Sequence, residues 1–350
     1  MQNINHPIVL VTGGSGFLGK NIVKELLDSD SPVTPSEIRV FDICSYNGIQ
    51  NEKITFIQGD VRKYNEVEKA CEGVNLVIHS AAIIDWGTQP ESVVFDINTT
   101  GTENVIKACI KNNVQNLVYT SSLDAVFTGK PLVDIDESQP YPAKPQTSYC
   151  ESKIRSEKLV IAAQGENLKT IILRPSDIYG EEDPYHIGSL INMAKTGFYV
   201  RLGNGKSRCQ HVYVGNMAHA HILAASALLQ NNEKVMGKAY LITDGQGSNF
   251  FTFFDQVVSG AGYKIFPKNL WIPRWLAYAM GSISEFIAWL VSPVKKYNPK
   301  FSRFAVIYTC TDFTFNSNRA KADFGWSPKY TTRQAIENTI NYYSKLSGKN

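Results

Sequence analysis

The chain has 350 residues, 43% apolar and 19% charged, with a formal net charge of +3. That length can bury a large core in two lobes or one large α/β unit. The composition has no low-complexity tract, charge block or solenoid repeat, which argues against a disordered chain or an array, and the near-balanced charge gives no reason to expect nucleic acid as a partner.

Six cysteines (Cys44, Cys71, Cys109, Cys150, Cys209, Cys310) are scattered without a C-x-x-C pair, and no histidine pair has zinc-ligand spacing. No metal site is therefore expected, and free thiols in a reducing, cytoplasmic compartment are. The first residues, MQNINHPIVLVTGG, run into an apolar strand without a basic stretch before them, so a cleaved secretion signal is not expected.

In chain order, short β-rich runs alternate with helical patterns. Strands are predicted at Ile8–Thr12, Ile38–Asp42, Ile54–Gln58, Leu76–Ser80, Asn116–Thr120 and Thr170–Leu173, and helices at Phe17–Leu27, Tyr64–Cys71, Val94–Asn112 and Ser148–Ala163. Such alternation predicts an α/β fold, a doubly wound parallel Rossmann sheet covered on both faces. After Arg174-Pro175 the regularity fails. A helix at Met217–Leu229, a strand at Asp312–Phe315 and a helix at Asn318–Phe324 are the clearer later elements. Residues 1–175 are read as the dinucleotide-binding domain, and 176–350 mainly as an interleaved substrate lobe with segments returning to the first.

The first strand runs into Gly13-Gly14-Ser15-Gly16-Phe17-Leu18-Gly19 and then a helix. Glycines at 14, 16 and 19 in a strand–turn–helix setting allow a tight turn, close backbone approach to pyrophosphate and close helix packing. Unpaired N–H groups at the helix start suit the phosphates. Asp42 ends the second strand 26 residues beyond Gly16, where a carboxylate accepts from ribose hydroxyls and repels a 2′-phosphate, which favours NAD over NADP. Asp60 and Val61, after the third strand, are placed to border the adenine.

Tyr149-Cys150-Glu151-Ser152-Lys153 puts a tyrosine and a lysine four residues apart on one helix face. A free phenol ionises near pH ~10, and the Lys153 ammonium together with an oxidised nicotinamide would favour the phenolate. Ser121 and Ser122 end the fifth strand at the carboxyl edge of the sheet, and Ser122 is the better placed to hydrogen-bond a substrate oxygen.

Together, TGGSGFLG, Asp60-Val61, HSAA at 79–82, Asn98 before TTGTENV, YTSS and YCESK resemble the extended short-chain dehydrogenase/reductase pattern. The resemblance implies that Gly13, Gly16, Phe17, Leu18 and Gly19 hold pyrophosphate, Asp42 the ribose, and Asp60 and Val61 the adenine. Ala81, Ala82 and Pro175 would line the cofactor and Asn98 would support the site, with Ser122, Tyr149 and Lys153 catalytic. Cys71-Glu72-Gly73-Val74, Ala82-Ile83-Ile84-Asp85, Asp136-Glu137-Ser138, a Trp-rich segment near 280 and Arg319–Trp326 are similar to the 3β-hydroxysteroid dehydrogenases and sterol-4α-carboxylate 3-dehydrogenases. The substrate implied is a bulky apolar secondary alcohol, a 3β-hydroxysteroid or sterol, and a homodimer is expected. Long-chain 2-alkyl-3-oxoalkanoate reductases share nearly all these features. A nucleotide-sugar epimerase or dehydratase, using Arg201, Lys206 and Arg208 as diphosphate clamps, and a non-catalytic NAD-binding module are the other readings. Asp85 is the candidate acid for an added isomerase step, or else a loop cap.

Leu270–Val294 is rich in Trp and aliphatic residues but broken by Pro273, Arg274 and Glu285, short of the roughly 18 uninterrupted apolar residues of a span. It reads either as a helix pair with an apolar face or as a peripheral membrane contact through Trp271, Trp275 and Trp289, followed by Lys295, Lys296 and Lys300.

Overall fold

The computed structural model describes residues 6–85, 89–291 and 301–347. Seven parallel strands form the main sheet: β1 (Ile8–Thr12), β2 (Glu37–Asp42), β3 (Ile54–Gln58), β4 (Leu76–His79), β5 (Asn116–Thr120), β6 (Lys169–Pro175) and β7 (Lys238–Ile242). Their order is β7-β6-β5-β4-β1-β2-β3, so the winding reverses between β1 and β4. Val11 of β1 lies level with Val40 of β2 on one side and Ile78 of β4 on the other. A crevice opens at the carboxyl ends of these strands, where ligands of this fold bind.

Strand alternation sorts the core into two layers. Val9 and Val11 face a cluster that includes Ile22 and Val23 of helix α1 (Phe17–Leu26), while Leu10 faces the opposite cluster with Val67 of helix α2 (Tyr64–Ala70) and Val105 of helix α3 (Gly101–Lys111). Both faces are dry, which is why the strands read as near-continuous apolar runs. A third cluster, built around Phe250–Phe254, Tyr179, Tyr199 and Val306, forms the core of the second lobe.

Beyond Arg174-Pro175 the structure holds several elements that were not predicted, among them helices His186–Lys195, Phe250–Gly260 and Thr332–Ser347, and three departures bear on the site and its surroundings. β7 was not predicted. Its five residues, KAYLI, sit far from the regular alternation, and only pairing with β6 makes them a strand. The helix predicted from Val94 begins at Glu91 and widens to a π turn over Asp96–Thr100 before α3, and such turns often mark functional sites. The helix pair expected at Leu270–Val294 is instead a two-residue strand, Trp271–Ile272, followed by one helix over Arg274–Val291.

Candidate active site

The glycine turn folds as its residues require. Gly13 has φ +69°, and a Cβ there would lie 2.7 Å from the backbone of Ala81. A Cβ on Gly19 would lie 2.1 Å from the Gly13 carbonyl, so α1 can start this close to β1 only with glycine. No side chain caps α1 at Gly16, which leaves helix-start N–H groups available to an anion.

Asp42 sits beside this turn, its two oxygens accepting from Ser15 N at 3.0 Å and Cys44 N at 2.9 Å. Farther along the crevice Asp60 is gripped by Arg62, with Arg62 Nη2 at 2.5 Å. Hydrogen bonding from Arg62 is the main influence holding the Asp60 carboxyl below its ordinary range.

These groups share one cavity of about 450 Å³, whose wall includes Gly13, Gly16, Phe17, Leu18, Gly19, Asp42, Asp60, Val61, Ala81, Ala82, Ser122, Tyr149, Lys153 and Pro175. Glycine cradle, uncapped helix start and strand-end carboxylate fit a dinucleotide. Asn98 reaches the cavity indirectly: its amide accepts from Ile83 N at 2.9 Å and donates to Ile83 O and Ser152 Oγ, each at 3.0 Å. It fixes the backbone of a cavity-lining residue from within the π turn, where its own carbonyl accepts from Thr102 and Ser156.

Tyr149, Cys150 and Lys153 sit in the first turns of helix α4 (Ser148–Ala162), which Thr147 caps by accepting from Cys150 N. Lys153 is buried and donates to Thr120 O at 2.9 Å, with its Nζ 5.9 Å from the Tyr149 ring centre. Burial pulls its pKa down to about 8 against the opposing charges of Glu157 and Asp124. Tyr149 is driven well above the ordinary phenol value, first by burial and then by Asp124, with the Ser122 hydroxyl pulling the other way. Both burial and Asp124 thus work against the phenolate that Lys153 and an oxidised nicotinamide are expected to favour.

The two strand-end serines have different partners. Ser121 donates to Glu157 Oε1 at 2.5 Å, whereas Ser122 donates to Asp124 Oδ2 at 2.9 Å and lines the cavity near Tyr149. Sequence reasoning missed Glu157, one helical turn after Lys153. It is fully buried and pairs with Arg174 through Nε at 2.9 Å and Nη2 at 2.6 Å, while Tyr141 donates to it at 2.7 Å. Asp124, Asp177, His186 and Tyr308 at the far end of the cavity were also missed. The last three come from segments whose meeting point no local pattern announces.

Several alternative assignments lose their geometry. Asp85 is buried and accepts from Gln89 N at 3.0 Å, the loop-cap role, while Ile83 and Ile84 supply the cavity wall from that segment. Arg201 is held by Asp255 at 2.8 Å and by Lys268 O at 3.0 Å, and Arg208 donates to Gly247 O. Among the described residues, none of Arg201, Lys206 and Arg208 lines the cavity. Asp177, Cys209 and His211 do converge, with ligand-type atoms within 4.8 Å of one another. Two of the three are already engaged, Asp177 by the Tyr308 hydroxyl at 2.5 Å and Cys209 by Ser248 O at 3.6 Å, and the trio reads as hydrogen-bonded core.

The sheet, glycine turn and Ser–Tyr–Lys cavity define an NAD(P)-dependent oxidoreductase of the extended short-chain dehydrogenase type. Its overall shape matches the UDP-glucose 4-epimerase of Thermotoga maritima (TM-score 0.72, 20% identity, 97% of this chain and 99% of that one). It also matches the dTDP-glucose 4,6-dehydratase of Streptomyces venezuelae (TM-score 0.74, 20% identity, 97% and 98%). At such identities the likeness is one of fold alone.

The chain belongs to the 3-beta hydroxysteroid dehydrogenase/isomerase family, whose sequence profile matches residues 10–271. Relatives include the decarboxylating sterol-4-alpha-carboxylate 3-dehydrogenase of Mus musculus, 34% identical over 339 residues, 96% of this chain and 91% of that protein. The 3 beta-hydroxysteroid dehydrogenase type 7 of Mus musculus is 32% identical over 97% of this chain and 96% of that protein.

Proposed function

We propose that this protein uses NAD to oxidise the 3β-hydroxyl of a steroid or sterol, or NADH to reduce the corresponding ketone. The observation that carries this reading is one cavity in which Tyr149, Lys153 and Ser122 meet a dinucleotide cradle and apolar walls such as Ile83, Ile84, Leu123 and Ile178. Apolar walls suit a lipid that partitions out of water.

In the oxidising direction Tyr149 takes the alcohol proton, and the Ser122 hydroxyl turns from Asp124 to donate to the substrate oxygen. Lys153 holds its ammonium under the site by donating to Thr120 O and would hydrogen-bond the ribose of a bound nicotinamide. When bound, oxidised nicotinamide supplies the hydride acceptor and a positive charge that offsets the burial holding the Tyr149 phenol neutral. NAD is preferred over NADP because Asp42 lines the cavity where a 2′-phosphate would lie, and the nearby Arg62 is already paired with Asp60.

The test follows nicotinamide absorbance with NAD and a panel of 3β-hydroxysteroids, sterols, 2-alkyl-3-hydroxyalkanoates and UDP-sugars. Steroid-dependent reduction is expected, and Tyr149→Phe should lower turnover about 100-fold or more while retaining NAD binding. Turnover of the sugar alone would overturn the reading, and turnover of the hydroxyalkanoate alone would replace its substrate.

The same reading includes a peripheral contact with a lipid surface. Helix Arg274–Val291 buries only Ala277 and Gly281, and exposes Trp275 (73%), Ile283, Phe286, Trp289 (69%) and Leu290. A surface helix this apolar marks an interaction site. It packs against the helix Arg303–Thr309, which puts Tyr308 in the cavity wall, so a lipid-facing helix is one layer from the substrate. Among the described residues no helix is long and apolar enough to cross a membrane. Trp271 is not available for this contact, since it packs on Phe251 and over Arg201, and Lys295, Lys296 and Lys300 lie outside the described residues. Flotation with phosphatidylcholine liposomes should carry the wild type and leave Trp275→Glu/Trp289→Glu behind; equal flotation of both would remove the contact.

A further inference from the structure

The polar end of the cavity is acidic. Asp124 follows Ser122 by two residues, accepts its hydroxyl at 2.9 Å and is buried, and its second oxygen, Oδ1, has no hydrogen-bond partner. Asp177, also buried and also in the wall, accepts from Tyr308 through Oδ1, while its Oδ2 has no hydrogen-bond partner and lies 3.7 Å from His211 Nδ1. Among the described residues, the other groups that can carry positive charge in this wall are Arg62, Lys153 and His186. Arg62 is held by Asp60 and Lys153 by Thr120 O, while His186 lies 3.7 Å from Asp177 and 3.7 Å from Asp183. Among the described residues, each cation on this wall already has a partner, an acid for Arg62 and His186 and a backbone carbonyl for Lys153.

Given the reading of Ser122 and Tyr149 above, on which this inference rests, the reacting oxygen sits against the hydroxyl that Asp124 accepts. A substituent on the carbon next to the alcohol then falls against Asp124. We propose that Asp124 and Asp177 make the cavity select a neutral secondary alcohol and reject one bearing a carboxylate on the adjacent carbon, so that the substrate is a plain 3β-hydroxysteroid or sterol and not its 4-carboxylate. A third carboxylate in this buried pocket would lose its water and meet two acids, an unfavourable juxtaposition. A site made for a 4-carboxylate would place a free guanidinium or ammonium there.

Asp124 also gives the selection a pH dependence. Burial lifts its pKa to about 7; Asp177 adds to the rise, while Ser122, His186 and Lys153 oppose it. Tyr149, Cys150 and Tyr308 face it as well, each pushed upward first by burial and then, in part, by its charge. Above that value Asp124 is a carboxylate that repels the substrate acid; below it, a neutral acid that can donate to one.

Turnover of cholestan-3β-ol and of its 4α-carboxylate, measured with NAD, tests the idea. The wild type should favour the neutral alcohol by about 100-fold or more in kcat/KM near pH ~8, with the ratio shrinking near pH ~6. Asp124→Asn, which keeps the shape and the Ser122 contact, should narrow the ratio at least about 10-fold, and Asp177→Asn should narrow it less. If either variant is inactive, quenching of bound NADH fluorescence by the two sterols gives the same ratio as affinities. Equal or better use of the carboxylate by the wild type near pH ~8 would overturn this inference and leave the dehydrogenase standing. An unchanged ratio in Asp124→Asn would also overturn it. Turnover of neither sterol withdraws the steroid reading, and this inference with it.

Discussion

Glu157 offers the sharpest test of how the active site is held. It is completely buried, receives two hydrogen bonds from Arg174, one from Tyr141 and one from Ser121, and so has all its acceptor capacity in use. Burial works against the Arg174 charge, and Glu157 more than compensates for it. Glu157→Gln keeps the size, removes the negative charge and leaves a guanidinium only 5% exposed without a counter-ion. Removing one partner of such a pair costs about 3–5 kcal/mol, whereas replacing both by apolar groups is often near neutral. Urea unfolding followed by tryptophan fluorescence should therefore show Glu157→Gln about 3 kcal/mol less stable at an unchanged m-value, and Glu157→Leu/Arg174→Met recovering most of that loss. A single-mutant loss below about 1 kcal/mol, the range of exposed pairs, would mean that the pair is solvated in solution and does not anchor Ser121.

Asp42→Ala should weaken NAD and relax discrimination against NADP by about 10-fold or more, because it removes both a ribose acceptor and a charge facing the 2′-phosphate; titration with both cofactors measures it, and a wild-type preference for NADP would show Asp42 to be misassigned. Gly19→Ala puts a methyl group 2.1 Å from the Gly13 carbonyl and 2.6 Å from Gly14 Cα. The turn must open, so NADH affinity measured by fluorescence should fall by about 10-fold or more, and an unaltered affinity would mean that the loop yields without cost.

Much of the nucleotide half was legible from local pattern. Strand, glycine turn and helix at 8–26 are set by steric rules that act over a few residues, as is the four-residue spacing of Tyr149 and Lys153 on α4. Helix Asn318–Phe324 has its predicted ends, and in the structure Gly325, in the left-handed region with φ +72°, stops it.

What only the tertiary structure decided depends on partners distant in sequence. β7 is a strand because β6 offers it an edge, and Ser122 stands apart from Ser121 because Glu157, 36 residues beyond Ser121, takes the first hydroxyl. The π turn around Asn98 exists because its amide closes on Ile83 and Ser152. The upward push on the Tyr149 phenol could not be read from Y-x-x-x-K, since it comes first from burial and then from Asp124. Periodicity reports which face of an element is dry, but a pKa depends on what the folded chain gathers around a group, and Asp124, Asp177, His186 and Tyr308 come together only when the second lobe closes over the sheet.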